Sequence, residues 1–471
     1  MKLFKLLTLI LISILSSTLP IKAASNLNGN VFIPFVAEKF SPLASQRTIN
    51  IPFINNTNVL ALMPSMAILS FGKVTVNDNY ADVRIGFNNS ELVIYIQIFD
   101  RYVWYAPNPL NSPLENWDSI AVTLHTGTSA DRPTQETYRF IGEFYDWETE
   151  NNYIKAFQGN GNGWQQRPIT FHTQSGYRGD APNNNIEDRG WTYTFHIPFT
   201  SLGFSSSPAI GSLWRIGLTL YNRDSSTGPS QNPETWPENS DSSIPNSWGQ
   251  LRFGMPIFIT PTIKNLQSTM IREGINNIHV PDGQVGGSSV CGDGLDFWTQ
   301  WGNTNYMGST FFNIQNQSDV ADWPCFSKYY ITFPLNSIPL GKVIESAQLS
   351  LHQFGNSDPS IAKPSIIQVF TVGEDWNEAT ITWNTAPMAL ENISQTTVNV
   401  ITTYHWPGDE YLWDVSRAVD QAYRMGAPLR LLLYSADASY SSGKYFTSSK
   451  AADWDANSRP ALIINWGDPI N

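Results

Sequence analysis

The chain has 471 residues, 41% of them hydrophobic, which is more than one ordinary core takes and suggests two or three domains. Its 40 Asp and Glu outweigh 28 Lys and Arg, for a formal net charge of -12. An acidic chain without a basic stripe excludes a nucleic-acid binder, because neutralising phosphates needs clustered cations; polyanions are awkward partners too, unless a cation or a local patch helps. Aromatic residues reach 13%, with 17 Trp, and 30 Pro and 32 Gly punctuate the chain. That is a many-turned β composition.

"MKLFKLLTLILISILSSTLPIKA" opens the chain with Lys2 and Lys5, an apolar run from Leu6 to Leu15, and Ala23 as a cleavage point. This pattern reads as a signal peptide over 1–23, so a secreted, extracellular or cell-surface protein is expected. An uncleaved anchor is the alternative. Elsewhere no apolar stretch approaches the ~20 residues of a membrane span, so none is expected after cleavage. Residues 24–45 show no period and read as a lead-in.

A first group of strands follows. In "SIAVTLHT", Ile120, Val122 and Leu124 face one way; Ala121, Thr123 and His125 face the other. Trp191, Tyr193, Phe195 and Ile197 alternate in "WTYTFHIPF", and Trp214, Ile216, Leu218 and Leu220 in "LWRIGLTLYNRD". Period two over seven or more residues is a half-buried strand. "ELVIYIQIFD" is apolar on both faces and is expected to be central and covered. The turn-rich stretch "RDSSTGPSQNPETWPENSDSSIPNSWG" is long for a compact domain, as binding loops are.

After "FGMPIFITPTIKN" a second group begins: "KYYITFPL", "SAQLSLHQF", "SIIQVFTV", "ATITW", "RLLLYS" and "PALIINW". One segment, "DVSRAVDQAYRMG", is helical: Val415, Ala418, Val419 and Ala422 recur at helical spacing, and Gly426 is the C-cap. Crossover helices, which parallel sheets need, are absent. The expected fold is therefore all-β: two antiparallel, jelly-roll-like β-sandwiches in tandem, over 46–258 and 262–469, with one short helix in the second. Cys291 and Cys325 are expected to form a disulfide in an exported protein, closing a loop worth roughly 3.5–4 kcal/mol on the chain-entropy model; free buried thiols are the other reading.

No metalloprotease, serine-hydrolase, nucleotide-binding or paired-cysteine motif occurs. A glycosidase needs two carboxylates across a sugar site. Glu143, Asp146, Glu148 and Glu378 are the acids that such a reading would use. "GEDWNEATITWNTAP", residues 373–387, poses the question sharply: Glu378 between Trp376 and Trp383 is either a catalytic acid framed by rings or the start of a strand.

Two resemblances bear on this. "NTNYMG", "SAQLSLH", "DWNEATITWNTAP", "WDVSRAV", "RLLLYS" and "SRPALIINW", in that order over roughly 290–467, resemble the disaggregatase-related (DNRLRE) domain, grouped with carbohydrate-binding modules. The resemblance implies that Trp376 and Trp383 determine the fold and that Glu378 is a structural partner. "ADVRIGFNNSELVIYIQIFDR", "WDSIAVTLHTG", "WTYTFHIPFTSLG" and "SWGQLRFG", over roughly 70–255, resemble family 9 carbohydrate-binding modules and their DOMON-like relatives. That family holds sugar between rings in a cleft, and calcium can be structural in it.

Trp104, Tyr105, Trp147, Trp164 and Trp236 are borne on loops and are the expected carbohydrate-binding residues; Trp191 and Trp214 begin strands and belong to the core. A sugar's C–H face packs on an aromatic face while amides and carboxylates bind its hydroxyls. Trp298, Trp301, Trp323 and Trp406 are secondary candidates in the second half. No cofactor or catalytic metal is expected; structural calcium is left open, with Asp293 and Asp296 of "GDGLD" as an example. The expected function is non-catalytic binding of a polysaccharide or cell-surface glycan through two modules. The alternatives are a structural or adhesive surface protein and a polysaccharide-degrading enzyme.

Overall fold

A computed structural model describes residues 46–55, 63–287, 294–317, 325–358, 360–437 and 442–470, all within one compact unit. Cys291, Trp323, Asp293 and the signal and lead-in segments lie outside them, and so does the expected disulfide.

The first sandwich packs two sheets. One has five antiparallel strands in the order Ala67–Gly72, Tyr80–Phe87, Glu91–Phe99, Gly190–Pro198, His172–Arg178. Opposite it, Trp164–Gln166, Ile154–Gly159, Thr137–Glu143, Ser119–His125 and Leu213–Tyr221 pair in that order. Gly249–Phe253 continues this sheet antiparallel, and Thr48–Ile51 then joins it in parallel. The alternation works as expected: Ile120, Val122, Leu124, Trp191, Tyr193, Phe195, Trp214, Ile216 and Leu218 all enter one core.

In the second sandwich one sheet runs Asp282–Gly286, Cys325–Phe333, Leu429–Ser435, Ser365–Thr371, Glu391–Val398. The other is built on the long strand Val343–Asn356. Ala461–Pro469, itself flanked by Ile263–Arg272, and then Lys444–Thr447 pair along one edge; Asp409–Asp414 pairs along the other. The helix spans Ser416–Arg424, and Val415, Ala418, Val419 and Ala422 face the second core. Gly426 ends it at φ 64°, the left-handed conformation that glycine tolerates best.

A third apolar cluster joins the sandwiches. Ile68, Val74, Tyr80 and Phe99 on the outer face of the five-stranded sheet pack against Phe297, Trp301, Phe326, Trp383, Leu432 and Tyr434. Glu91–Phe99 is thus central in its sheet and covered on both faces, as its two-sided apolarity predicts. Polar groups stitch the same seam. Asp82 accepts hydrogen bonds from the hydroxyls of Tyr80 (2.5 Å) and Tyr434 (2.8 Å) and from Asn316 Nδ2 (2.9 Å). Arg84 donates to the carbonyls of Ala436 and Asp437. Asn384 pairs with both the N–H and the C=O of Val74 at 2.9 Å, as a strand would. Thr48 N–H reaches Leu390 O at 2.8 Å, so the first described strand touches both sandwiches.

Candidate functional site

The stretch that posed the question of catalysis is part of the seam. Trp383 is buried against Trp301 at 4.8 Å between ring centroids and against Tyr80 at 5.1 Å. Trp376 packs half-buried on Tyr330. Glu378 accepts the N–H of Asp282 at 2.7 Å and pairs with Lys450 at 2.7 Å. Its carboxylate closes a turn onto a neighbouring strand.

The five expected sugar-binding residues separate into two sets. Trp104, Tyr105 and Trp147 come together where the loop after Glu91–Phe99 meets the loop after Thr137–Glu143. Trp147 stands 94% exposed at φ 60°. That backbone region is unfavourable for a bulky residue, and such strain collects at functional positions. Beside it, Glu148 accepts the Tyr105 hydroxyl at 2.8 Å and the Asp146 N–H at 2.8 Å. Tyr105 meets Phe144 and Tyr153 edge-on. Burial, then the bond to Glu148, pushes the Tyr105 hydroxyl far above its ordinary range. Trp104 is only 8% exposed and backs the loops from inside, its backbone N–H donating to Asp118.

Trp236 and Trp164 lie apart from that loop pair. Trp236 is 2% exposed within the first core, because the short strand Glu234–Trp236 pairs with Leu213–Tyr221 and turns the ring inward. A ring so placed offers no face to a sugar; its position in a long loop was misleading. Trp164 is half-buried and lies parallel to Trp248 at 6.5 Å. Of the secondary candidates, Trp298 and Trp301 belong to the seam.

The second sandwich presents its own aromatic surface. Tyr404 is 58%, Trp406 48% and Trp454 76% exposed. Trp406 is oriented by its indole N–H, which donates to Asp455 at 2.6 Å. Trp454 sits on the turn Asp453–Ser458, which is tied back by Arg459 donating to Asp453. Sequence reasoning passed over Trp454, although "DWD" in a polar run was a signal of a ring held at the surface.

The enzymatic reading finds little geometry. Glu143 is fully buried and accepts the Ala106 N–H, and burial lifts its carboxyl to about 8. Glu148 and Glu378 are engaged as above. Among the described residues, no group of three or more His, Cys, Asp or Glu is arranged to hold a metal ion. Asp296 already accepts the N–H and hydroxyl of Thr299. Among the same residues, no helix is long and apolar enough to cross a membrane.

Residues 298–465 match the model of carbohydrate-binding module family 96, a span of about a third of the chain. No curated protein matches. Solved structures similar to the chain include a family 9 carbohydrate-binding module from Caldicellulosiruptor kristjanssonii in complex with cellotriose, 13% identical, covering 45% of this chain and 100% of that one at a TM-score of 0.34. The same module in complex with glucose covers 46% and 100% at 13% identity and a TM-score of 0.33. A putative carbohydrate-binding protein from Bacteroides uniformis covers 44% and 100% at 13% identity and a TM-score of 0.35. TM-scores of this size carry no inference about ligand.

Proposed function

We propose that the protein is a non-catalytic glycan-binding protein of the cell exterior, with a sugar-stacking surface on each sandwich. The observation that carries this is the match of residues 298–465 to a carbohydrate-binding module family. Inside that span, Tyr404, Trp406 and Trp454 are the rings left exposed together with carboxylates beside them. Trp147 with Tyr105 and Glu148 is the corresponding surface of the first sandwich. Exposed aromatic rings have few rotatable bonds to fix, so they lose little entropy on stacking against a pyranose, and the neighbouring carboxylates accept its hydroxyls. Two surfaces on one chain add avidity where both reach the same polymer.

The finer assignments belong to the same reading: family 9-like, DOMON-like character for 46–258, DNRLRE-like character for 262–469, and a cleaved export signal over 1–23. N-terminal sequencing of protein from culture medium tests the last; an intact Met1 would sink it.

The functional test is retention of the full-length protein on a panel of insoluble polysaccharides, with analysis of sugar released into the supernatant. Retention without release, weakened in Trp147→Ala and in Trp406→Ala/Trp454→Ala, is expected. Release of oligosaccharides would replace this reading with an enzymatic one. Retention by no polymer would leave an adhesive or structural role.

A further inference from the structure

The seam between the sandwiches opens on one side into a cleft of about 700 Å³ lined from both halves. That volume is in the range of small-ligand sites. Neither surface platform contributes to it. Its floor is Lys328, which donates to Ser70 Oγ at 2.7 Å and Tyr80 OH at 3.0 Å, with the Trp383 ring 4.2 Å away. Phe71, Trp383 and Leu432 supply apolar wall.

The charges narrow the ligand class. Five carboxyl residues line the cleft: Asp78, Glu234, Glu238, Glu374 and Asp375. Glu238 and Glu374 are held by Arg47, and Asp375 by Arg430. Lys73 and Lys328 also line the cleft, so with Arg47 and Arg430 four cations stand against the five carboxyl groups, and so balanced a lining favours neither a polyanion nor a polycation. A neutral molecule with one apolar face and many hydroxyls suits such a lining.

Glu234 is the group with unspent hydrogen-bonding capacity. Its Oε1 accepts the Asn79 N–H at 3.2 Å, and its Oε2 has no partner. Burial first, then Asp78, lifts the carboxyl to about 8, so at neutral pH it can both donate and accept. Gly72, at φ 81°, lets the chain pass so close that a Cβ there would lie 2.0 Å from Oε2. Behind Glu234 a smaller cavity of about 110 Å³ is lined by Asn79 and Asn222, 4% and 5% exposed. Asn79 Nδ2 and Asn222 Oδ1 also lack partners. Buried polar groups are paired in the great majority of cases, so a carboxyl, an amide donor and an amide acceptor left unpaired together require an explanation.

We propose that this inter-sandwich cleft is a separate binding site for a neutral sugar unit of a glycan, with Glu234 as its principal hydroxyl-recognising residue. Glu234 Oε2 is buried against Gly72, so a hydroxyl would pair with it once the carboxyl turns toward the cleft, while a pyranose face rests on the apolar wall. The site exists only where both sandwiches meet, so it differs in kind from the two exposed platforms.

Calorimetry on the full-length protein tests this, with cellotriose, laminaritriose, mannotriose and xylotriose as neutral probes and trigalacturonate as the anionic one. The background is the platform-less variant Trp147→Ala/Trp406→Ala/Trp454→Ala, so that failure of the platforms and failure of the cleft are read separately. At least one neutral probe is expected to bind that variant. Adding Glu234→Leu should weaken binding roughly tenfold or more, as loss of a hydrogen bond to a desolvated hydroxyl does, whereas Glu234→Gln should hold it within about threefold. Thr235→Phe, which adds bulk to the same wall, should also abolish binding, and it decides the matter should Glu234→Leu fail to fold. Binding by none of the neutral probes overturns the proposal. So does binding unchanged in a folded Glu234→Leu or Thr235→Phe variant, or preference for trigalacturonate.

Discussion

The core of the first sandwich and the seam that joins it to the second are made by opposite faces of the same strands. In Tyr80–Phe87, Ala81, Val83 and Ile85 enter the apolar core, while Asp82 and Arg84 enter the seam. The core is held chiefly by apolar packing and tolerates volume-conserving change. The seam buries an Asp, an Arg and a Lys, each with at least two of its hydrogen bonds made to the other sandwich. Buried charges are costly unless every partner is in place, so the seam specifies one docking of the two halves where an apolar patch would allow several.

The comparison breaks most readily at Asp82. Asp82→Ala leaves two tyrosine hydroxyls and Asn316 without their acceptor, removes the carboxylate that offsets the buried Lys328 charge, and should cost about 3–5 kcal/mol in denaturant unfolding; a loss below 1 kcal/mol would mean that the network does not hold the halves together. In the core, Ile96→Val, fully buried on the other face of the neighbouring strand, should cost only about 0.5–1.5 kcal/mol.

Glu143 sharpens the contrast from within the first sandwich. Its carboxyl titrates near 8 when folded, above its ordinary 4.5, because burial favours the neutral form. The stability linked to that neutral form is complete below about pH 4.5 and is lost as pH rises through about 8. Glu143→Gln, which stays neutral, should flatten the fall in stability between pH 5 and 8 measured by thermal melts. An unchanged slope would show that Glu143 is ionised in the fold.

Glu378→Gln should cost about 1 kcal/mol, as expected for a loosened turn bond and ion pair, and should leave glycan retention intact. Lost retention at full stability would return the residue to functional candidacy. Smallest in stability is Trp454→Ala, within about 0.5 kcal/mol of wild type because its ring is exposed; retention on polysaccharide is where its effect should be read.

Part of this was legible along the chain. Period-two runs placed Ile120, Trp191 and Trp214 in the core, and helical spacing placed Ala418 and Ala422 against the second sandwich. Trp147 was legible as an exposed ring because it sits among acids in a turn-rich loop. Trp236 was not, because a three-residue strand within a long polar loop leaves no periodic mark, and its pairing with Leu218 is non-local. Trp454 carried the same mark as Trp147, a ring flanked by acids in a polar run, and was passed over.

The sequence by itself determined the elements and the inward face of each, since alternation and helical spacing are local consequences of backbone geometry. Tertiary structure alone decided what covers the outward faces. "ADVRIGF" reads as a strand with a charged, solvent-facing side. Only the arrival of Asn316, Tyr434 and Ala436, hundreds of residues away, turns Asp82 and Arg84 into buried, bonded groups. The same docking sets Glu234 and Lys328 around one cleft, a juxtaposition that no local pattern encodes.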